Sequence, residues 1–180
     1  MLEIFGYISA ILSIGMVVPY IRDIFQFKTK PERASWLIWT VLGIIAFASQ
    51  LAKGATTSLW LTFGQTLAVL IVFLLAIKYG VGGLNRRDIF ALIVAAFGLV
   101  LWYFTSEAAY ALLLVILIDG IGSLLTVIKS YEKPATETMS TYIISGISGI
   151  FGLLSVGSFE GILLAYPGYI VVANFTIVSA

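Results

Sequence analysis

The stretch PYIRDIFQFKTKPERASW, Pro19–Trp36, interrupts apolar sequence with two prolines, the basic residues Arg22, Lys28, Lys30 and Arg33, and a closing tryptophan. It joins the apolar segments Leu2–Gln26 and Ala34–Ala52, and a fainter version, GSLLTVIKSYEKPATETMST, begins at Gly122. Aligning Pro31 with Pro134, an offset of 103, also matches Lys30 to Lys133 and Gly54 to Gly157, and sets Gly122 opposite Pro19. Identity elsewhere is low, and Ser35 meets Ser140 only after a two-residue insertion. The order of features carries the correspondence: an apolar span, a charged loop with Lys-Pro, a second span, a short glycine turn and a third span.

The 180 residues are 61% hydrophobic and 11% charged, with a mean hydropathy of +1.08. That is the composition of a membrane protein, since a soluble domain is about half apolar. The apolar segments run along the whole chain, so none reads as a cleaved secretory signal. A helix needs roughly 20 apolar residues to cross the hydrocarbon core. Seven segments come close: Leu2–Gln26, Ala34–Ala52, Thr56–Ile77, Asp88–Phe104, Glu107–Lys129, Thr138–Val156 and Gly161–Ala180. Asn85, Thr105 with Ser106, and Thr136 supply N-cap chemistry ahead of three of them, and Gly54, Gly80, Gly82, Gly83 and Gly157 mark turns.

The expected fold is therefore all-α, a polytopic membrane protein of seven transmembrane helices. Two three-helix repeats, residues 1–80 and 106–180, flank a linker helix in 84–105. An odd linker makes the repeats parallel, related by an axis along the membrane normal. Lys and Arg are retained in cytoplasmic loops. Arg22, Lys28, Lys30, Arg33, Lys78, Arg86, Arg87, Lys129 and Lys133 fall on one side, and only Lys53 on the other. This bias places the amino terminus outside and the carboxyl terminus in the cytoplasm.

At this level the chain resembles the SWEET, SemiSWEET and PQ-loop superfamily, which has the same three-one-three plan. Pro19-Tyr20 stands where those families place Pro-Gln, whereas the second copy has Gly122-Ser123 and lacks the proline. The second helix of each triplet also lacks the proline found in many sugar carriers, so the resemblance implies the fold without implying sugar. The phrases KTKPERASWLIW and YEKPATETMSTY resemble a group of bacterial and archaeal membrane proteins, which implies a prokaryotic plasma-membrane location.

With no cysteine and no histidine, thiolate chemistry, disulfides and the commonest general base and metal ligand are absent. No enzyme activity, metal or cofactor is expected. The net charge of +1 gives no field suited to nucleic acid. The expected partners are a small-molecule substrate and the lipid bilayer, with homo-oligomerisation left open.

Four residues are candidates for contact with a solute, and one for a hinge. Asp119, in LVILIDGIGSLL, is the only acidic residue well inside an apolar span. A carboxylate at mid-depth costs about 2.5–3.5 kcal/mol on insertion scales. It must then face a cavity or a partner, or hold a proton; it suits a substrate hydroxyl or amine, or proton coupling, or else glues two helices together. Asn174 is the most polar group of the last span, and the resemblance implies substrate contact by an asparagine on the third helix of a triplet. Gln65 lies near the corresponding position of the first triplet, though the registers do not coincide. Either amide can instead join helices, at roughly 0.6–2 kcal/mol per bond. Trp36 and Trp39 share a helix face as an interfacial belt, with Trp39 deeper and better placed to stack on a flat ligand. Pro19 cannot donate to the Gly15 carbonyl, which favours a kink; the resemblance implies a hinge, and a static kink is the alternative.

Gln50, Tyr142, Tyr166 and Tyr169 are further hydrogen-bonding groups, the tyrosines near span ends reading first as belt residues. Ser145, Gly146, Ser148, Gly149 and Gly152 form a small-residue packing face. The function expected is a small-solute transporter working by alternating access on a polar or hydroxylated metabolite, sugar-like or nucleoside- or vitamin-like. The alternative is a seven-helix sensor or scaffold, with Arg22, Lys28, Lys30 and Arg33 as a docking face or as contacts to anionic lipid. A retinal receptor is excluded, since no lysine follows Lys133.

Overall fold

The computed structural model of the chain describes residues 1–28, 31, 33–80, 86–105, 107–132 and 139–180. Lys30, Gly82, Gly83, Asn85, Ser106, Lys133, Pro134, Thr136 and Glu137, on which several caps and the repeated Lys-Pro marker rest, lie outside the described residues. Among the described residues every regular element is helical: α1 (Leu2–Gly15), α2 (Val18–Phe25), α3 (Arg33–Ala52), α4 (Leu59–Tyr79), α5 (Arg86–Thr105), α6 (Ala108–Glu132), α7 (Met139–Ser155) and α8 (Gly161–Ser179). Their bounds fall within three residues of the apolar segments, with the first segment divided into α1 and α2. Leu2–Phe25, Leu59–Tyr79 and Gly161–Ser179 are long and apolar enough to cross a membrane, while Trp36–Ala52, Ala108–Gly120 and Met139–Ser155 are shorter apolar stretches.

Pro19 explains the division. The Met16 N–H still reaches the Leu12 carbonyl at 2.9 Å, but the helix restarts at Val18 with Pro19 in its first two positions. Proline is tolerated there because its missing N–H belongs to a position with no intrahelical partner. The end of α2 has a Schellman motif, with Lys28 N–H donating to Asp23 O (2.9 Å) and Phe27 N–H to Ile24 O (3.0 Å). Phe27 takes the left-handed conformation, φ 57°, that glycine usually supplies. The end of α3 uses Gly54, φ 82°, with Ala55 N–H on Gln50 O and Gly54 N–H on Leu51 O, both 3.0 Å.

The helices form a circuit of neighbours, α1–α4–α3–α6–α8–α7 and back to α1, with α5 against α6 and α3. Two apolar clusters fill it. Ile38, Leu42, Ile45 and Ala46 of α3 meet Leu61 of α4, Ala111, Leu112 and Val115 of α6, and Tyr166 and Ile170 of α8. A smaller cluster joins Met16, Val17 and Ile24 to Ala68 and Val72 of α4. The small-residue face of α7 is a packing face. A Cβ on Gly149 would lie 2.9 Å from Val171 Cγ2 of α8, and one on Gly152 would lie 2.6 Å from Leu61 Cδ2 of α4.

Charge divides between the two ends of the bundle. Arg22, Lys28, Arg33, Lys78 and Arg86 are exposed at the end opposite Met1. There the Arg33 guanidinium donates to the carbonyls of Ala76 (3.0 Å) and Gly80 (2.8 Å), closing the last turn of α4 with positive charge at the negative end of its dipole. At the Met1 end Lys53, after α3, pairs with Glu107, ahead of α6.

Candidate functional site

Asp119 lies midway along α6, and Ser123 follows it by one turn on the same face. Across from them is Tyr169 of α8, eight residues, or about 12 Å at 1.5 Å per residue, from the start of that helix. Tyr169 donates its phenolic proton to Asp119 Oδ2 at 2.6 Å, and its oxygen lies 2.9 Å from Ser123 Oγ. A phenol has one proton to give. Ser123, Tyr169 and Asp119 thus form one hydrogen-bonded chain across α6 and α8. The Tyr166 ring, one turn earlier, lies with its centroid 6.4 Å from that of Tyr169. Between the tyrosines Pro167 removes an N–H from the interior of α8.

This chain borders a cleft of about 200 Å³ between α6 and α8, lined by Gly120, Ser123, Leu124 and Val127 on one side and by Tyr169, Val172, Ala173 and Thr176 on the other. The lining residues step along both helices from Tyr169 toward the end opposite Met1. Leu124 and Val172 are exposed at its rim, Val172 to 67%.

The other candidates lie elsewhere in the hydrogen-bond network. Gln65 is 8% exposed and donates to Ser145 Oγ of α7 at 3.3 Å. It belongs to a polar seam in which Ser9 of α1 donates to the Ser148 carbonyl (2.7 Å) and Ser148 Oγ to the Ser145 carbonyl (2.7 Å). Asn174 turns onto its own helix and donates to the Ile170 carbonyl at 2.8 Å. Trp39 is 39% exposed and meets Trp36 edge to face at 5.0 Å, while Trp36 packs on Tyr20 at 5.1 Å. Among the described residues no hydrogen bond joins any two of Asp119, Asn174, Gln65 and Trp39. Asp119 alone of the four has its carboxyl tied to a cleft-lining side chain.

Two residues change role relative to the sequence reading. Tyr166, 7% exposed, and Tyr169, bonded to Asp119, are interior groups and not belt residues. For Tyr169 the distance from the helix start was the available signal, since about 12 Å is too deep for a headgroup contact in a core about 30 Å thick. Gln50 is likewise buried, donating to Thr62 Oγ1 at 2.8 Å, while its Oε1 has no partner among the described residues.

No family model matches the chain, and neither a curated protein nor a solved structure matches it.

Proposed function

We propose that the chain is a membrane carrier for a small polar solute, with residues 1–80 and 106–180 as two parallel three-helix units that rock about a site reached from alternate sides. The observation that carries the function is the Ser123–Tyr169–Asp119 chain beside a cleft in the middle of two apolar helices. An ionisable group at that depth is costly and pairs inward where it serves a pathway.

The neighbour circuit supports the two-unit plan. In the first unit α4 lies between α1 and α3; in the second α8 lies between α6 and α7. Both units thus set their third span between their first and second. The contacts between units repeat as well, α3 on α6 and α7 on α1, as a two-fold axis along the bundle requires. At the Met1 end Lys53 pairs with Glu107 and the Thr57 hydroxyl donates to the Ser155 carbonyl, both between units. At the other end Arg33 with Ala76 and Gly80, Tyr20 with Trp36, and Phe25 with Tyr79 all stay within the first unit.

The scaffold reading loses ground at Arg33, whose guanidinium is committed to the end of α4 and not presented to a partner. The test is uptake into proteoliposomes of a panel of sugars, nucleosides, amino acids and amines, with and without a pH gradient. At least one solute should move, and Asp119→Asn should abolish its uptake while leaving a folded protein. If nothing moves under any condition and a cytoplasmic protein co-purifies stoichiometrically, the carrier reading fails.

A further inference from the structure

The end of α2 holds a bulky side chain in a conformation that disfavours it. Phe27 takes φ 57°, and among the described residues no other non-glycine has a positive φ. An L side chain there crowds the following carbonyl, and glycine would close the same Schellman turn without that cost. The fold does not bury the ring to offset the strain, since Phe27 is 77% exposed. A strained and exposed aromatic points to a partner outside the fold.

The surroundings of Phe27 narrow the chemistry of that partner. The inward face of α2 joins Met16, Val17 and Ile24 to Ala68 and Val72 of α4, with Tyr20 and Ile21 beside them. The outward face carries Val18, Arg22 and Phe25, one turn apart and all exposed. Lys28, also exposed, follows Phe27. Phe25 meets the Tyr79 ring at 5.6 Å and Tyr20 meets Trp36 at 5.1 Å, so the end of α4 and the start of α3 reach the same corner. They bring Lys78, its ammonium 5.3 Å from the centre of the Tyr79 ring, and Arg33, which is bonded to the end of α4 and adds charge without a free contact. Against these four cations the described residues of the corner set the one carboxylate of Asp23; Lys30 and Glu32, of opposite charge, lie outside the described residues.

We propose that this corner binds an anionic phospholipid, whose phosphodiester accepts hydrogen bonds from Arg22 and Lys28 while Val18, Phe25 and Phe27 lie against its glycerol backbone and acyl chains. Basic clusters beside a span attract anionic headgroups, and the hydrogen bonds formed are charge-assisted. Long cationic side chains keep their heads in the polar layer while their stems cover apolar surface. A soluble phosphate would meet the cations and leave three apolar side chains in water. A zwitterionic lipid would cover the apolar side chains but bring a cation of its own to a cationic corner. An anionic lipid matches both the charge and the apolar surface. This inference goes beyond the carrier reading and holds whether or not the chain moves a solute.

The chain has no cysteine, so Gln26→Cys places a single thiol beside Phe27, at an exposed position, for a bimane label. Full-length protein is held one copy per nanodisc, which keeps a second copy from being the occupant, in phosphatidylcholine with rising fractions of phosphatidylglycerol at fixed ionic strength. Bimane emission should change saturably as phosphatidylglycerol rises, and added salt should weaken the response. Soluble glycerophosphoglycerol, the headgroup without its chains, and a hexaglutamate peptide should leave the emission unchanged. Arg22→Gln and Lys28→Gln should each weaken phosphatidylglycerol by about fivefold, the effect of one basic residue near an anionic surface. Phe27→Gly separates the ring from the fold: with the strain at φ relieved, it should resist unfolding by sodium dodecyl sulfate better than the parent protein, yet bind phosphatidylglycerol several-fold more weakly. Phe27→Leu should keep most of the affinity. The proposal is overturned if emission is indifferent to phosphatidylglycerol, if the free headgroup or the acidic peptide reproduces the change, or if the Arg22→Gln/Lys28→Gln double variant binds like the parent. A Phe27→Gly protein that is less stable than the parent, or that binds phosphatidylglycerol equally well, overturns it too, because the ring then serves the fold or serves nothing.

Discussion

Replacing Gly64 by alanine tests the close packing of α1 on α4 within the first unit. Its added Cβ would lie 2.7 Å from the Ala10 carbonyl oxygen, 2.9 Å from Ser13 Cβ and 3.0 Å from Ala10 Cα. Two of the three obstacles are backbone, so no side-chain rotation relieves them, and α1 must retreat by about 0.7 Å to reach ordinary contact. Overpacking of this kind costs about 1–3 kcal/mol, and the upper part of that range applies when a whole helix has to move. Against it stands a gain of about 0.8–1 kcal/mol for alanine over glycine inside a helix. The net effect should be a loss of about 1–2 kcal/mol. Gly15→Ala is the control, because nothing lies within 4 Å of its Cβ position; it keeps the propensity gain and should be neutral or stabilising. Gly120→Ala, 3.8 Å from the Tyr169 ring, should follow Gly15 and not Gly64. The assay is reversible unfolding in mixed micelles titrated with sodium dodecyl sulfate, read by far-ultraviolet circular dichroism. A Gly64→Ala protein as stable as Gly15→Ala would refute the close α1–α4 seam.

Pro19→Ala restores a donor for the Gly15 carbonyl, so α1 and α2 should fuse into one helix; spin-label distances across Met16 and Val17 should lengthen and uptake should slow, and if the distances lengthen with uptake unchanged, Pro19 is a static kink. Gln50→Leu alone strands the Thr62 hydroxyl in an apolar surrounding and should cost about 1–3 kcal/mol. Adding Thr62→Val should recover most of that loss, and additive losses in the cycle would mean that the Gln50–Thr62 bond contributes nothing. Glu107→Gln should barely change stability, because an exposed ion pair contributes about 0.2–1 kcal/mol. A Lys53→Cys/Glu107→Cys pair joined by a thiol-reactive cross-linker should instead arrest transport, and full transport by the cross-linked protein would show that this end need not open.

The helices were legible because run length and the spacing of turn residues are local properties. Leu59–Tyr79 and Gly161–Ser179 announce themselves as predominantly apolar runs of 21 and 19 residues, and Gly146, Gly149 and Gly152 share a face by spacing alone. Asp119 was legible as a costly residue, but Tyr169 was not legible as its partner. Fifty positions separate the two, and only the docking of α8 on α6 brings them together. The bonding of Asn174 was not legible for a related reason. A polar side chain inside a helix can satisfy itself on the carbonyl one turn back, and nothing in the residue type distinguishes that from a group turned toward a solute. Trp39 shares a face with Trp36 as its spacing requires, and the pairing is with that neighbour rather than with Asp119.

The two seams between the proposed units are held by different forces, and that difference bears on which of them can open. Along α1 and α7 the Ser9 hydroxyl is bonded to the Ser148 carbonyl and Phe5 packs on Phe151 with centroids 6.1 Å apart. Such a hydrogen bond fixes the register of the two helices, because in hydrocarbon a displaced hydroxyl finds no water to replace its partner. Along α3 and α6 the contact is Ile38, Leu42 and Ile45 against Ala111, Leu112 and Val115. Aliphatic surfaces have no directional bonds to break, and apolar lipid tails can replace the contacts they lose on sliding. In a carrier that rocks, α1–α7 would then serve as the pivot and α3–α6 as the seam that parts, with Lys53–Glu107 the polar tie across it. On that proposal the Asp119 chain would lie on the side of the bundle that moves, and the serine seam around Gln65 on the side that stays fixed.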